Sequence, residues 1–98
     1  MFEWDERKRA SNLAKHEIDF VDAVSIFDGP VLEVADDRHD YGEQRIIALG
    51  RTSTGRFAVV IYTWRGSVTL SRRRRIISAR KAGADEIEDY RRSQADTR

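Results

Sequence analysis

The chain has 98 residues, 40% of them hydrophobic and 36% charged, with a net charge of +1 and no cysteine. That length suits one domain with a single core, and no apolar run approaches the roughly 20 residues of a membrane span. Without cysteine there is neither a disulfide framework nor a thiolate nucleophile, which suits a reducing cytoplasm, and Met1 to Asp5 is not expected to be a signal peptide.

The small net charge conceals a division. Residues 1–50 carry 6 Lys/Arg against 12 Asp/Glu, whereas residues 51–98 carry 12 against 5. An asymmetry of this size points to a polyanion as partner of the second half.

Phe2 to Trp4 reads as a short edge strand flanked by charges. Asp5 is suited to cap a helix over Glu6–Lys15, because its carboxylate can accept from amides of the first turn. That helix is expected to turn Ala10, Leu13 and Ala14 inward. Asp19 caps a second helix in which Phe20, Ala23, Val24 and Phe27 recur at i, i+3, i+4 and i+7. Asp28-Gly29-Pro30 ends it, with Gly29 expected in the left-handed conformation and Pro30 unable to continue the helix. Both helices are expected to lie over one face of a sheet.

Strands follow. Val31–Val34 is short, residues 36–42 form a polar loop, and Glu43–Leu49 is extended. Gly50 and Gly55 bound a hairpin connection. Arg56–Trp64 sets Phe57, Val59 and Ile61 on one face and Ala58, Val60, Tyr62 and Trp64 on the other. Apolar on both sides, it is predicted to be central. Arg65-Gly66 turns the chain into a return strand, Val68 to Ala79, bent or bulged near Ser71. A last helix from Gly83 or Ala84 directs Ala84, Ile87 and Tyr90 inward, and residues 91–98, lacking apolar spacing, are expected to fray. The organisation is one domain over 1–90 with a tail over 91–98. Its class is α+β: a small antiparallel sheet with two N-terminal helices packed on it and a C-terminal helix.

The basic stretch carries the chemistry. Arg72 to Arg75 form an unbroken run, and Arg80-Lys81 add charge where the strand gives way to a helix. Guanidinium groups offer paired donors to phosphate, so a row of them can grip a polyanion; a solvated strand end is the alternative. The alternation leaves the faces open, because Arg75 shares parity with Ile77 while Arg80 shares it with Ser78 and Ile76. A bulge in the return strand would remove the conflict. The acidic loop of Asp36, Asp37, Asp40 and Glu43 resembles a set of oxygen ligands, but Arg38 stands where calcium-loop spacing needs one. Two histidines without cysteine do not suit zinc. No metal or cofactor is expected.

Several segments together match a known pattern: Phe2-Glu3-Trp4-Asp5, Asn12 to His16, Asp19-Phe20, Asp37-Arg38-His39, Gly42 to Arg45, Gly50, and Arg75 to Ala82 with Glu88 and Tyr90 downstream. They resemble the BrnT family, toxins of type II toxin–antitoxin modules. The resemblance implies a RelE-like fold and a ribonuclease that halts translation. It also implies a cognate BrnA-like antitoxin with a ribbon-helix-helix part, so that operator DNA is reached only through the antitoxin. Two departures stand out. Glu17 occupies a position where the family usually has glycine, and Ser67 to Arg74 lengthens the hairpin before the Arg-Ile-Ile-Ser-Ala-Arg motif.

Within that reading, metal-free RNA cleavage needs a proton acceptor, a proton donor and cations for the crowded phosphate. His39 and Glu43 are the proton-transfer candidates, His39 first because imidazole titrates near neutrality. Arg45 and Arg80 complete the catalytic set. Arg75, Ser78 and Lys81 are candidates for the phosphate backbone, and Tyr62, Trp64 and Tyr90 for the bases, although Tyr62 and Trp64, as apolar neighbours of Val60, are more often core, and packing of the last helix explains Tyr90 equally well. His16 reads as a cation suited to a helix C-terminus. The alternative function is a non-catalytic nucleic-acid-binding or antitoxin-docking module.

Overall fold

The structure, a computed structural model, describes residues 1–38, 42–67, 69 and 71–95. Five strands form one sheet: β1 (Phe2–Glu3), β2 (Leu32–Asp36), β3 (Arg45–Arg51), β4 (Phe57–Arg65) and β5 (Arg73–Lys81). Their order is β1-β5-β4-β3-β2. β2 to β5 form the antiparallel meander read from the sequence, with β4 at its centre. β1 lies parallel to β5, so the sheet is mixed.

Helices α1 (Glu6–His16) and α2 (Phe20–Ala23) cover one face, and α3 (Ala84–Ala95) packs on the other. Asp5 caps α1 by accepting from the Arg7 amide at 2.7 Å, and Asp19 caps α2 by accepting from the Val21 amide at 3.0 Å. α2 tightens after Ala23 into a 3-10 turn over Val24–Asp28. Gly29 is extended (φ −128°, ψ −168°) rather than left-handed. The tightened turn already ends in a Gly29 N–H to Ile26 carbonyl bond, and a residue before proline is pushed towards extended backbone. α3 continues past Tyr90 to Ala95, where Ser93 donates to the Tyr90 carbonyl at 2.7 Å.

Ile18, Phe20, Ala23 and Ile26 pack against Ala48, Ala58, Val60, Tyr62, Ile76 and Ala79 to make the main core. Gly50 lets the 3-10 turn close on β3, since a Cβ there would stand 2.9 Å from the Ile26 Cβ. A smaller cluster under α3 joins Tyr90 to Leu49, Val59 and Phe57.

The inner face of α1 differs from expectation. Ala10, Leu13 and Ala14 are exposed, and the buried residue is Asn12. β1 ends at Glu3, leaving the β5 edge without a strand beyond Arg75. Asn12 takes the strand's place, accepting from the Ala79 N–H at 3.1 Å and donating to the Ala79 carbonyl at 2.8 Å. Backbone pairing, rather than apolar burial, sets the rotation of this helix.

Candidate functional site

The β4–β5 register slips by one residue. Tyr62 is opposite Ile76 but Ile61 is opposite Ser78, so Ile77 is the extra residue. The slip settles the parity conflict in the sequence. Arg75 lies opposite Thr63 and Arg80 opposite Val59, and those two β4 residues share a face. This is the face turned away from α1 and α2. α3 covers one end of it through Tyr90. Across the uncovered end runs a polar row in which Glu3 is opposite Arg75 and Asp36 is opposite Arg45. Arg45, one residue beyond the Ile46–Tyr62 pair, stands level with Thr63 between them.

Carboxylates hold the cations of this face in place. Glu3 accepts from Arg73, and from Arg75 at 3.0 Å. Asp36, its side chain 1% exposed, accepts twice from Arg38 at 2.8 and 3.0 Å. Glu43 accepts from Arg65 at 2.7 Å. Glu86 accepts twice from Arg80, both at 2.8 Å, and also from the Gly83 amide at 2.8 Å.

The hydrogen bonds from arginine keep all four acids ionised. Arg73 holds Glu3, Arg38 holds Asp36 and Arg65 holds Glu43 below the usual carboxylate range, and Arg80 draws Glu86 down to about 2. The acidic first half of the chain thus supplies the partners of the basic second half.

The four-arginine run does not form a single row. Arg73 and Arg75 face Glu3, whereas Arg72 and Arg74 turn to the helix side. Arg74 lies 4.1 Å from the Phe27 ring centre, 4.7 Å from Trp64 and 5.2 Å from Tyr62, and Arg72 lies 4.1 Å from Trp64. Alternation along a strand sends neighbours to opposite faces, and the aromatic rings hold Arg74, and Arg72 at the exposed rim, by cation–π contact.

Other candidates are also separated from the polar face. Lys81 is on the helix side, 3.6 Å from Glu17. Tyr62 is 1% exposed in the core, with its hydroxyl donating to Glu33 at 2.5 Å, so neither ring face is open to a base. Burial, together with Glu33, raises its pKa. Trp64 is half-buried beside it on the same side. Tyr90 is buried against Phe57 and donates to the Pro30 carbonyl at 2.8 Å. Packing accounts for all three rings.

Arg45, Arg75 and Arg80 are the predicted residues that the fold does bring to one face. Ser78, opposite Ile61, shares that face with them. His39 lies outside the described residues, but Arg38, just before it, is near enough to Arg80 for its positive charge to oppose that of Arg80. Sequence reasoning missed Asn12, Glu3, Glu86 and Thr63. Asn12, Glu3 and Thr63 meet their partners far along the chain or across the sheet, whereas Glu86, six residues from Arg80, left a local signal.

The family model described as "Ribonuclease toxin, BrnT, of type II toxin-antitoxin system" matches residues 4–86. Among solved structures, the chain is similar to the crystal structure of the Brucella abortus ribonuclease toxin, BrnT. The two share 30% sequence identity with a TM-score of 0.60, over 85% of this chain and 97% of that one. No curated protein matches the chain.

Proposed function

Since the chain belongs to the BrnT family of ribonuclease toxins of type II toxin–antitoxin systems, we propose that it is a metal-independent, RelE-like endoribonuclease that halts translation in the cytoplasm. A cognate antitoxin comes with membership of the family. In this reading that antitoxin is BrnA-like and carries the DNA-binding part. No described helix is long and apolar enough to cross a membrane.

The observation that carries the reading is the bulge at Ile77, which puts Arg75 and Arg80 together on the sheet face that α1 and α2 leave uncovered, the face that Arg45 of β3 shares. The substrate's own 2′-hydroxyl gives up its proton and attacks the adjacent phosphorus, and the 5′-oxygen of the next nucleotide leaves, taking up a proton from water. The products are a 2′,3′-cyclic phosphate and a 5′-hydroxyl. Negative charge grows on the non-bridging oxygens during this step, and fixed guanidiniums stabilise it without reorganising. Ion pairing to Glu3 and Glu86 presets Arg75 and Arg80 in orientation. In this reading His39 takes the 2′-proton, because imidazole is the side chain that titrates near neutrality, and Glu43 fixes Arg65.

Expression of His39→Ala and Arg80→Ala variants tests this. Both are expected to relieve growth arrest while still capturing the antitoxin in pull-down. Full toxicity of both variants would overturn the residue assignment.

A further inference from the structure

We propose that the cleft between α1 and the bulged part of β5 is a second phosphate-binding site, which takes the backbone of single-stranded RNA a few nucleotides from the cleaved bond. The proposal rests on the ribonuclease reading above and adds where the remainder of the substrate lies.

The cleft has a volume of about 260 Å³ and is lined by Lys8, Ser11, Asn12, Lys15 and His16 of α1 and by Ile77 and Ser78 of β5. Lys8, Ser11 and Lys15 recur at i, i+3 and i+7, which places them along one side of the helix. The cleft exists because β1 stops at Glu3, so no strand covers β5 at the bulge, while Asn12 secures only Ala79. Its floor is the bulge itself.

The charges here differ from those of the arginine face. There, Arg38, Arg65, Arg73, Arg75 and Arg80 each have a carboxylate. In the cleft, neither Lys8, Lys15 nor the His16 ring has an ion pair or side-chain hydrogen bond among the described residues. The neighbouring acid, Glu17, is directed to Lys81 at 3.6 Å. An incoming phosphate therefore displaces no carboxylate in the cleft, whereas on the arginine face it competes with four. Free cations contribute directly to the salt-dependent part of nucleic-acid affinity. Ser78 stands between Arg75 and Arg80 in the strand, so a backbone held by those arginines reaches the cleft by passing over the β5 edge.

Fluorescence anisotropy with 2′-O-methyl RNA, which binds but lacks the attacking hydroxyl, separates this inference from the ribonuclease reading. The comparison is between wild type and Lys8→Gln/Lys15→Gln, both lysines being exposed. For a probe of about 16 nucleotides the double variant is expected to bind roughly tenfold more weakly, with the salt slope reduced by about 1.4. A trinucleotide probe should bind both proteins alike. Unchanged affinity and slope for the long probe would overturn the site, as would an equal loss for the trinucleotide. Loss of antitoxin binding with RNA binding intact would assign the cleft to protein and overturn it too. Failure of the wild type to cleave the unmodified long RNA would instead count against the ribonuclease reading alone.

Discussion

Arg80 and Glu86 meet end-on in a two-pronged ion pair, each Nη of the guanidinium 2.8 Å from a carboxylate oxygen. The pair ties the end of β5 to the first turn of α3 and depresses Glu86 from 4.5 to about 2. A depressed acid contributes stability that is fully present above its unfolded pKa and is lost as the pH falls through the folded one. Both side chains are partly solvated, which limits the contribution to about 1 kcal/mol. Glu86→Gln should therefore cost about that much near neutrality, and its urea midpoint should converge on wild type as the pH falls from 4.5 towards 2. A gap that persists unchanged across that interval would show that the ion pair is not its source.

Asn12 provides a second test because its amide stands in for a strand. Asn12→Ala removes both bonds to Ala79 and leaves a buried N–H and carbonyl without partners, a loss of about 2 kcal/mol. Asn12→Leu restores volume but neither bond, so it should be equally destabilised in urea unfolding. Recovery of wild-type stability by leucine would mean that filling, not hydrogen bonding, is what the position requires.

Glu17 adopts the left-handed conformation, φ 59° and ψ 29°, while its amide closes α1 on the Leu13 carbonyl at 2.9 Å. Side chains with a Cβ adopt this conformation at a cost that glycine avoids. Its ion pair with Lys81 is 3.6 Å long and exposed, and contributes little. Glu17→Gly is accordingly expected to stabilise the fold by about 0.5–1 kcal/mol, read from thermal or urea unfolding. Destabilisation would show that the Lys81 contact outweighs the backbone strain.

Much of the fold was legible because its signals are local. The Asp5 and Asp19 caps, the two-faced β4 and the punctuation around residues 50–55 each follow from neighbouring residues, and each appears in the structure. The face of α1 was not legible, since Ala10, Leu13 and Ala14 present an apolar pattern, while the demand that turned Asn12 inward lies 67 residues away at Ala79. The site divided along the same line. Alternation alone could not place Arg75 and Arg80 together, because the Ile77 bulge depends on pairing with β4. The arginine run looked like one surface only while the aromatic rings that draw Arg72 and Arg74 to the other side were unplaced.

The central claim is that arginines gathered on one sheet face let an RNA cleave itself at its own 2′-hydroxyl. End-labelled RNA incubated with the purified protein in EDTA tests it most directly. New fragments ending in cyclic phosphate are expected, in the same amount with and without the chelator, with at least a hundredfold slower formation by Arg80→Ala, the scale of losing one transition-state donor. RNA that is bound but left intact, or cleaved only when a divalent metal is supplied, would contradict it.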